Sequence, residues 1–588
     1  MKDFLKMLAA AVLGCSLVLF SALFLAIGML SLMISTSSAG ANEVPHNAIL
    51  KISFERPILE QSSMNPISKF IPFGLWNDDG YGYYQLVSAI DRAVDDSRIQ
   101  MIYLNTNYLS AGIAQIEELR EALKRFRSSG KAVVAYSDSY TQAGYYLASV
   151  ADKVYLNPQG QVELRGFAVS SRYYKGLMDE LGVQAQVIRH GSYKSGGESF
   201  TESRMSERER EQLGAFLQSA WNHWAKGMAE ARQIGIETIN QVAERMGCSH
   251  MMEAKELQII DEAYYKDQFI DRLCLLQGVK HERQLRVVDM SVYMTGKSAV
   301  RTRDKIAVLF AGGTLYMGKG QQDIMSENYI QTIRKLRADS TVKAVVLRVD
   351  SPGGDAAAAA VIHRELQLLK EVKPLIVSIG DDAASGGYWI ACAGDYIFGA
   401  PASFTGSIGA YAMTYNGQKA LDKWLKVNVE TIRTHSSSDA GSLYRPLNTV
   451  ELSRIQQNID RVYVQFVTTV SLGRGLLYEE ADALAQGRIW SGTDAVKNGL
   501  IDQIGGLNDA INYAAKSVGL IQYQVVEYPS TGTFLERVRQ STSAMSAGGI
   551  PSLSPDPQKW AREIESAIYQ ASERGVQAKV PFLYQISY

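Results

Sequence analysis

Three short motifs carry the residue types of acyl-transfer chemistry, and they lie far apart in the chain. Ser385 stands in Ala383-Ala384-Ser385-Gly386-Gly387-Tyr388-Trp389, after an apolar run at 375–379 and a turn at Gly380-Asp381-Asp382. This order predicts a buried strand, a turn and a helix near 385–393, with the serine at the helix entry. There the helix dipole favours developing negative charge. The first backbone N–H groups can hold an oxyanion, and two glycines admit a substrate backbone. Serine is also a common helix cap, so this motif alone does not make a nucleophile. Nor is it the lipase-type elbow, because Ala383 stands where G-x-S-x-G requires its first glycine.

The second motif, Asp350-Ser351-Pro352-Gly353-Gly354, follows a strand-like run at 344–349 and precedes a helical stretch near 356–370. Most Pro-Gly pairs are plain turns. At the carboxyl edge of an α/β sheet, however, a Pro-Gly-Gly turn presents unshielded N–H groups where such folds bind ligands. It would supply the other half of an oxyanion hole. A serine nucleophile also needs a base. His363 sits beside Arg364 and Glu365 on a stretch that reads as solvent-facing, and His190 is the other histidine in the neighbourhood. Lys194, in Gly191-Ser192-Tyr193-Lys194-Ser195, is the better candidate. A lysine acts as a base only when neutral, and burial depresses its pKa. Ser–Lys pairs are a known variant of the catalytic triad.

An internal repeat singles out this lysine from the other surface-type charges. Shifted by 243 positions, Asp96-Ser97 falls on Asp339-Ser340, Asp138 on Asp381, Gly144-Tyr145 on Gly387-Tyr388 and Gly166 on Gly409. The copies differ where the chemistry lies. The second has the Ser351–Gly354 turn where the first has Tyr108-Leu109-Ser110-Ala111, and Ser385 where the first has Gln142. The first has Lys194 where the second has the run Ser436-Ser437-Ser438. A unit that divides nucleophile and base between its copies points to one composite site.

The elements that position these residues follow from periodicity. In each copy apolar strand-like runs alternate with helical ones: 102–104, 113–128, 132–135, 142–149 and 153–156 in the first, and 344–349, 356–370, 375–379, 385–393 and 396–398 in the second. Such alternation predicts an α/β domain with a largely parallel sheet. The chain of 588 residues exceeds a single core. We read 1–6 as a cytoplasmic stub, 7–34 as a transmembrane anchor, 45–280 as the first repeat, 281–304 as a linker, 305–525 as the second repeat and 526–588 as a helical tail with an amphipathic helix near 559–574. The run 7–34 carries no charge and is preceded by Lys2 and Lys6. It exceeds both the ~20 residues needed to cross a bilayer and the ~7–15 of a cleavable signal. The positive-inside rule then puts the rest of the chain across the membrane.

Composition excludes several classes. A net charge of −1 gives no field for nucleic acid, and four cysteines and seven scattered histidines show no metal-like spacing. Gly313 to Gly318-Lys319 has Walker-like spacing, but Gly320 replaces the hydroxyl residue that would hold magnesium.

Taken together, these motifs resemble the bacterial signal peptide peptidases of the protease IV type, in their long, duplicated form. The likeness spans nearly the whole chain and includes Thr405-Gly406-Ser407-Ile408-Gly409 and Gly487-Arg488-Ile489-Trp490-Ser491-Gly492. It implies two tandem α/β domains of the Clp-protease/crotonase-like fold after the transmembrane helix. Ser385 would be the nucleophile, Lys194 the general base, Gly354 and Gly386 the oxyanion donors, and Ser407 the serine that orients the lysine and assists proton transfer. It also implies a homotetrameric bowl in the bacterial inner membrane, with its catalytic part on the periplasmic or outer side. The substrates would be cleaved signal peptides, with no metal or other cofactor. Three other readings stay open on sequence: an acyl-CoA enzyme of the same fold, a general cell-envelope protease for unfolded proteins, and a non-enzymatic membrane scaffold.

Overall fold

The computed structural model describes residues 14, 18, 20, 21, 44–61, 80–294, 302–320, 323–529, 576–579 and 585–587. The anchor read at 7–34 and the helix read near 559–574 lie outside the described residues, apart from those isolated N-terminal positions. Among the described residues no helix is long and apolar enough to cross a membrane.

Strands buried on both faces read as continuous apolar runs, and that is how both sheets are built. In the first repeat six parallel strands lie in the order Val287–Asp289, Ala48–Ser53, Ile99–Asn105, Ala132–Ser137, Lys153–Leu156 and Glu262–Ala263. The second repeat repeats this order with Gln524–Tyr528, Lys305–Gly312, Val342–Ser351, Leu375–Ala384, Tyr396–Gly399 and Gln503–Ile504, again parallel. The expected helices appear as Ile113–Ser128, Gln142–Ala148, Ala356–Lys370 and Gly386–Ala391. Two segments differ from the sequence reading. Within the stretch read as linker, Val287–Asp289 joins the first sheet and Met290–Met294 is helical. Within the stretch read as a helical tail, the described residues form strands, Gln577–Lys579 and Gln585–Ser587.

The repeats share one core rather than meeting at a polar seam. Leu86, Ile90, Leu119 and Leu123 of the first repeat cluster with Val308, Val346, Ile376 and Ile511 of the second. Polar ties fix the joint. Arg348, 1% exposed, donates to both carboxylate oxygens of Glu60 at 2.8 and 3.0 Å. Asp381 accepts from the Ala114 N–H at 2.8 Å, so an acid of the second repeat satisfies a free amide in the first turn of a first-repeat helix. Removing Glu60 would strand a buried guanidinium, at a cost of about 3–5 kcal/mol.

A third sheet matters most for function, because it draws strands from both repeats. Its order is Ile324–Met325, Leu315–Tyr316, Gly353–Asp355, Gln577–Lys579, Ala410–Asn416 and Gln184–His190. The last two pair antiparallel over seven residues, from Ala410 opposite His190 to Asn416 opposite Gln184. An arm of the first repeat is thereby laid along the second.

Candidate active site

The arm ends in the loop that carries Lys194. Its Nζ donates to Ser385 Oγ at 2.8 Å, to the Ser407 carbonyl at 2.9 Å and to Ser407 Oγ at 3.0 Å. Lys194, Ser385 and Ser407 are all buried. Burial alone pulls the lysine down to about 7 from its ordinary 10.5. The lysine is therefore close to half neutral near pH 7, as a general base requires.

Ser385 occupies the junction between the strand Leu375–Ala384 and the helix Gly386–Ala391. Its backbone is at φ 55°, ψ −117°, a conformation that a non-glycine residue adopts only under constraint, at a cost of about 1–3 kcal/mol. Its N–H donates to the Gly406 carbonyl at 2.7 Å, and Trp389 donates back to the Ser385 carbonyl at 2.9 Å. The hydroxyl makes no cap bond to its own helix and is left for Lys194. Gly386 and Gly387 open that helix, where the first N–H groups lack intrahelical partners. The Ser351–Gly354 turn packs directly against it: a Cβ on Gly387 would stand 2.4 Å from the Ser351 carbonyl oxygen. Ser351 Oγ donates to the Gly313 carbonyl at 2.6 Å and accepts the Gly353 N–H at 3.2 Å. Gly354 follows at φ 157°, where a Cβ would meet the Leu315 oxygen at 2.3 Å.

Supporting residues that sequence reasoning missed hold the lysine loop in place. Gln212, on the helix Glu207–Arg232, donates to the Tyr193 carbonyl at 3.1 Å and accepts from the Ile489 N–H at 3.2 Å. Arg189 donates to the Lys194 carbonyl at 3.1 Å and to Glu198 at 2.8 Å. Residues 486–488 staple the loop to the Ser407 turn, through Tyr193 N–H to the Gln486 carbonyl and Ser407 N–H to the Arg488 carbonyl, both at 2.7 Å. Gly487, at φ 77°, lies flush on the lysine: a Cβ there would stand 2.5 Å from Lys194 Cβ. Its place in the quoted Gly487–Gly492 motif was the signal, but spacing gave no reason for it.

One expectation about the other candidates is corrected. His363 is not solvent-facing. It is 7% exposed, and burial depresses it to about 4. Arg364 is exposed, but Glu365 is as buried as His363 and pairs with Arg334, so charged neighbours in sequence did not mark a solvent face. His190 turns away to Asp460 at 2.7 Å and stacks on Tyr463. The Walker-like segment is crossed by the strand Leu315–Tyr316, which pairs with Gly354 and Ile324. Beside the Gly353–Asp355 strand, the chain's own Gln577–Lys579 runs antiparallel, with Gly354 opposite Ala578.

Comparison with known proteins bears on the family. The pattern described as Peptidase family S49 matches residues 125–280 and 367–521, and that described as Clp protease matches 296–403. The chain is 34% identical over 490 residues to Protease 4 of Salmonella typhi, spanning 81% of this chain and 79% of that one. It is 33% identical over 462 residues to Protease 4 of Haemophilus influenzae, 76% and 74% of the two chains. It is 32% identical over 476 residues to the chloroplastic serine protease SPPA of Arabidopsis thaliana, 79% and 69%. Two family matches, one per repeat, and relatives that align along most of their length establish the assignment: the chain belongs to peptidase family S49, as a serine peptidase made of two tandem copies of the family's unit.

Proposed function

We propose that this peptidase is a membrane-anchored endopeptidase that degrades cleaved signal peptides and other apolar peptides through a Ser385–Lys194 dyad. The carrying observation is the buried Lys194 amine within 2.8 Å of Ser385 Oγ, with no carboxylate among the described residues in hydrogen-bond contact to fix its charge. When neutral, the amine donates to the two Ser407 oxygens and keeps a lone pair for the serine proton. Lys194 takes that proton as Ser385 Oγ attacks the peptide carbonyl. The oxyanion is held by the amides of Gly354 and Gly386. Lys194, now an ammonium steadied by Ser407, gives its proton to the leaving amine, and a water activated by the same lysine hydrolyses the acyl-enzyme.

The substrate reading draws support from the strand position beside Gly354. A segment of the chain itself, Gln577–Lys579, fills it in extended form, and peptides are commonly held by strand addition. The uncharged run 7–34 after Lys2 and Lys6 supports anchoring in a bacterial inner membrane with the site on the periplasmic or outer side. A homotetramer with inward-facing sites belongs to the same reading. The test is hydrolysis of an unstructured apolar peptide in detergent by wild type, Ser385→Ala, Lys194→Ala and a mixture of the two variants. Inactive singles and an inactive mixture are expected. Full activity in Lys194→Ala, or recovery on mixing, overturns the dyad within one chain.

A further inference from the structure

The junction that carries Ser385 is one residue longer than its counterpart in the first repeat, and something must hold the added residue. Asp152 and Asp395, 243 positions apart, donate their N–H groups at the same place in the two sheets. They donate to the carbonyls of Val133 and Leu375, which are only 242 positions apart. Strand pairing shows the same step: Ala135 lies opposite Val154, but Val377, not Ser378, lies opposite Ile397. At the ends of the following helices the offset is 243 again, where Ser149 and Cys392 donate to the Tyr145 and Tyr388 carbonyls. The second repeat therefore carries one more residue between strand and helix end, in the stretch that includes Ser385.

The added residue is taken up in a bulge. Val349 lies opposite Ile379 and Ser351 opposite Ala383, so Asp350 alone faces Gly380, Asp381 and Asp382. A bulge pushes amides out of the ladder, and they then need another acceptor. Asp350 supplies one from its side chain: Asp382 donates its N–H to Asp350 Oδ1 at 3.0 Å. Gly380 makes room for it, because a Cβ there would stand 3.1 Å from both Asp350 Cβ and Oδ1. The first repeat has Asn107 at this place. There Leu104 lies opposite Ala135, which puts Asn107 in register with Asp138, and Asn107 Oδ1 accepts the Asp138 N–H at 2.8 Å. The same kind of bond thus holds an in-register neighbour in one repeat and the far side of a bulge in the other. The two halves of the site leave from it: Ser351 follows Asp350 directly, and Ser385 stands three residues after Asp382.

We propose that Asp350 is a positioning residue of the site: by holding the Asp382 N–H it fixes the bulge, and the bulge sets Ser385 in its positive-φ conformation beside the Ser351–Gly354 turn. Asp350 does this as a neutral acid. Glu60, Asp381 and Asp382 surround it, with Glu118 and then Asp509 beyond Arg348, the cation that faces them. Arg348 directs its donors to Glu60, to Ser378 Oγ and to the Ile379 carbonyl. Burial, with repulsion from Glu60, Asp381 and Asp382, holds the Asp350 carboxyl well above the usual carboxylate range. Burial also raises Asp382 to about 7 and Glu118 to about 8. A neutral carboxyl offers the same carbonyl acceptor as a carboxamide, which is what Asn107 uses in the first repeat. This inference rests on Ser385 as the nucleophile.

Peptide hydrolysis and denaturant unfolding of full-length Asp350→Asn, Asp350→Ala and Gly380→Ala test it. Asp350→Asn keeps an acceptor for the Asp382 N–H and should keep the kcat of wild type. Asp350→Ala lets the bulge relax, and a displacement of about 1 Å at the serine is worth about 10²-fold in kcat; KM should not change. Gly380→Ala presses on the carboxyl without removing it and should lower kcat by about tenfold. The protonation state has its own readout. A carboxyl raised in the folded chain keeps a proton that the unfolded chain releases near pH ~3.9. Wild type should therefore lose stability relative to Asp350→Asn as the pH rises above about 4, and a flat difference overturns the neutral acid. Asp350→Asn as inactive as Asp350→Ala, or a folded Asp350→Ala with the kcat of wild type, overturns the positioning role. If Asp350→Ala does not fold, an unchanged kcat in Gly380→Ala overturns it instead. Hydrolysis by Ser385→Ala would overturn the nucleophile itself, a failure separate from any of these.

Discussion

Position 142 of the first repeat and position 385 of the second occupy the same strand-to-helix junction, and their backbones differ. In the first, Thr141 is an ordinary cap at φ −69°, ψ 162°, accepting the Gly144 N–H at 3.1 Å, and Gln142 is already helical. Its carboxamide accepts from the N–H groups of Arg165 and Gly166 at 2.7 and 2.9 Å and donates to the Gly166 carbonyl at 3.1 Å. In the second, the helix starts one residue later and Ser385 takes a positive φ with its hydroxyl uncapped. Around it, Gly354 replaces Ala111 and Ser407 replaces Leu164. The strained junction is present only at the proposed nucleophile, and the corresponding junction of the first repeat is relaxed and internally bonded. Strain at position 385 is therefore part of the site and not a demand of the fold.

The largest test of that contrast is removal of the dyad. Ser385→Ala and Lys194→Ala are each expected to lower kcat by about 10⁴-fold or more, as loss of a member of such a unit does. Lys194→Arg should be equally inactive, because a guanidinium does not give up its proton. If Lys194→Arg hydrolyses peptide, the base lies elsewhere. Next in size is the pH dependence. With Lys194 near 7, the acylation rate should rise about tenfold per unit below that pH and level off above it. Stability follows with a definite sign. The folded lysine loses its proton near 7 and the unfolded one near 10.5. Between those values the unfolded chain binds more protons, and wild type gains stability with rising pH. Relative to Lys194→Met, denaturant midpoints should show this gain between about 7 and 10.5 and stay flat on either side. A flat difference throughout would mean the lysine is not desolvated.

Two smaller changes ask how finely the second repeat holds the lysine of the first. Gly487→Ala adds a methyl at a positive-φ position 2.5 Å from Lys194 Cβ, so the loop must move. A shift of about 1 Å is worth about 10²-fold in kcat. Ser407→Ala removes one of the three acceptors of Lys194. A hydrogen bond to a charged group is worth about 1.5–3 kcal/mol, so kcat should fall about 10- to 100-fold, with the pH midpoint moving down as the ammonium loses a partner. An unchanged pH profile would restrict Ser407 to packing.

Much of this was legible in the chain before folding. Chemistry restricts residue types: glycine alone suits the positive φ at 353–354 and the close approach at 387, and the residues read as nucleophile, base and oxyanion turn are among those that differ between copies. The parallel sheets were legible because buried strands are written as apolar runs. The meeting of residues 194 and 385 was not legible as geometry. It depends on the Gln184–His190 arm crossing to the other repeat, and a strand's periodicity does not name the edge it joins. Nor did the sequence announce the positive φ of Ser385, which no side-chain type encodes. Val287–Asp289 was lost among charged neighbours because it is an edge strand with one buried residue. His363 was misplaced because charged neighbours were read as a solvent face, whereas Glu365 is itself buried against Arg334; Ile362, Leu366 and Leu369, buried along the same helix, mark its core side.

The smallest expected effect comes from making the two junctions alike. Gln142→Ser, introduced into a Ser385→Ala chain, puts a hydroxyl at the corresponding position of the first repeat. No peptide hydrolysis should return, because the equivalents of Lys194, Gly354 and Ser407 there are a serine, Ala111 and Leu164. The change should instead cost stability. The Arg165 and Gly166 amides each lose the carboxamide oxygen that satisfied them, and a buried amide left unsatisfied costs about 1–3 kcal/mol. Unfolding in denaturant would register a loss of that order with the slope unchanged. Restored hydrolysis would mean that a serine at this junction finds a base in the first repeat after all, and that the relaxed backbone at position 142 is no obstacle to catalysis. A stability loss without activity would show that the glutamine's work is to fill and bond a junction that takes no part in the composite site.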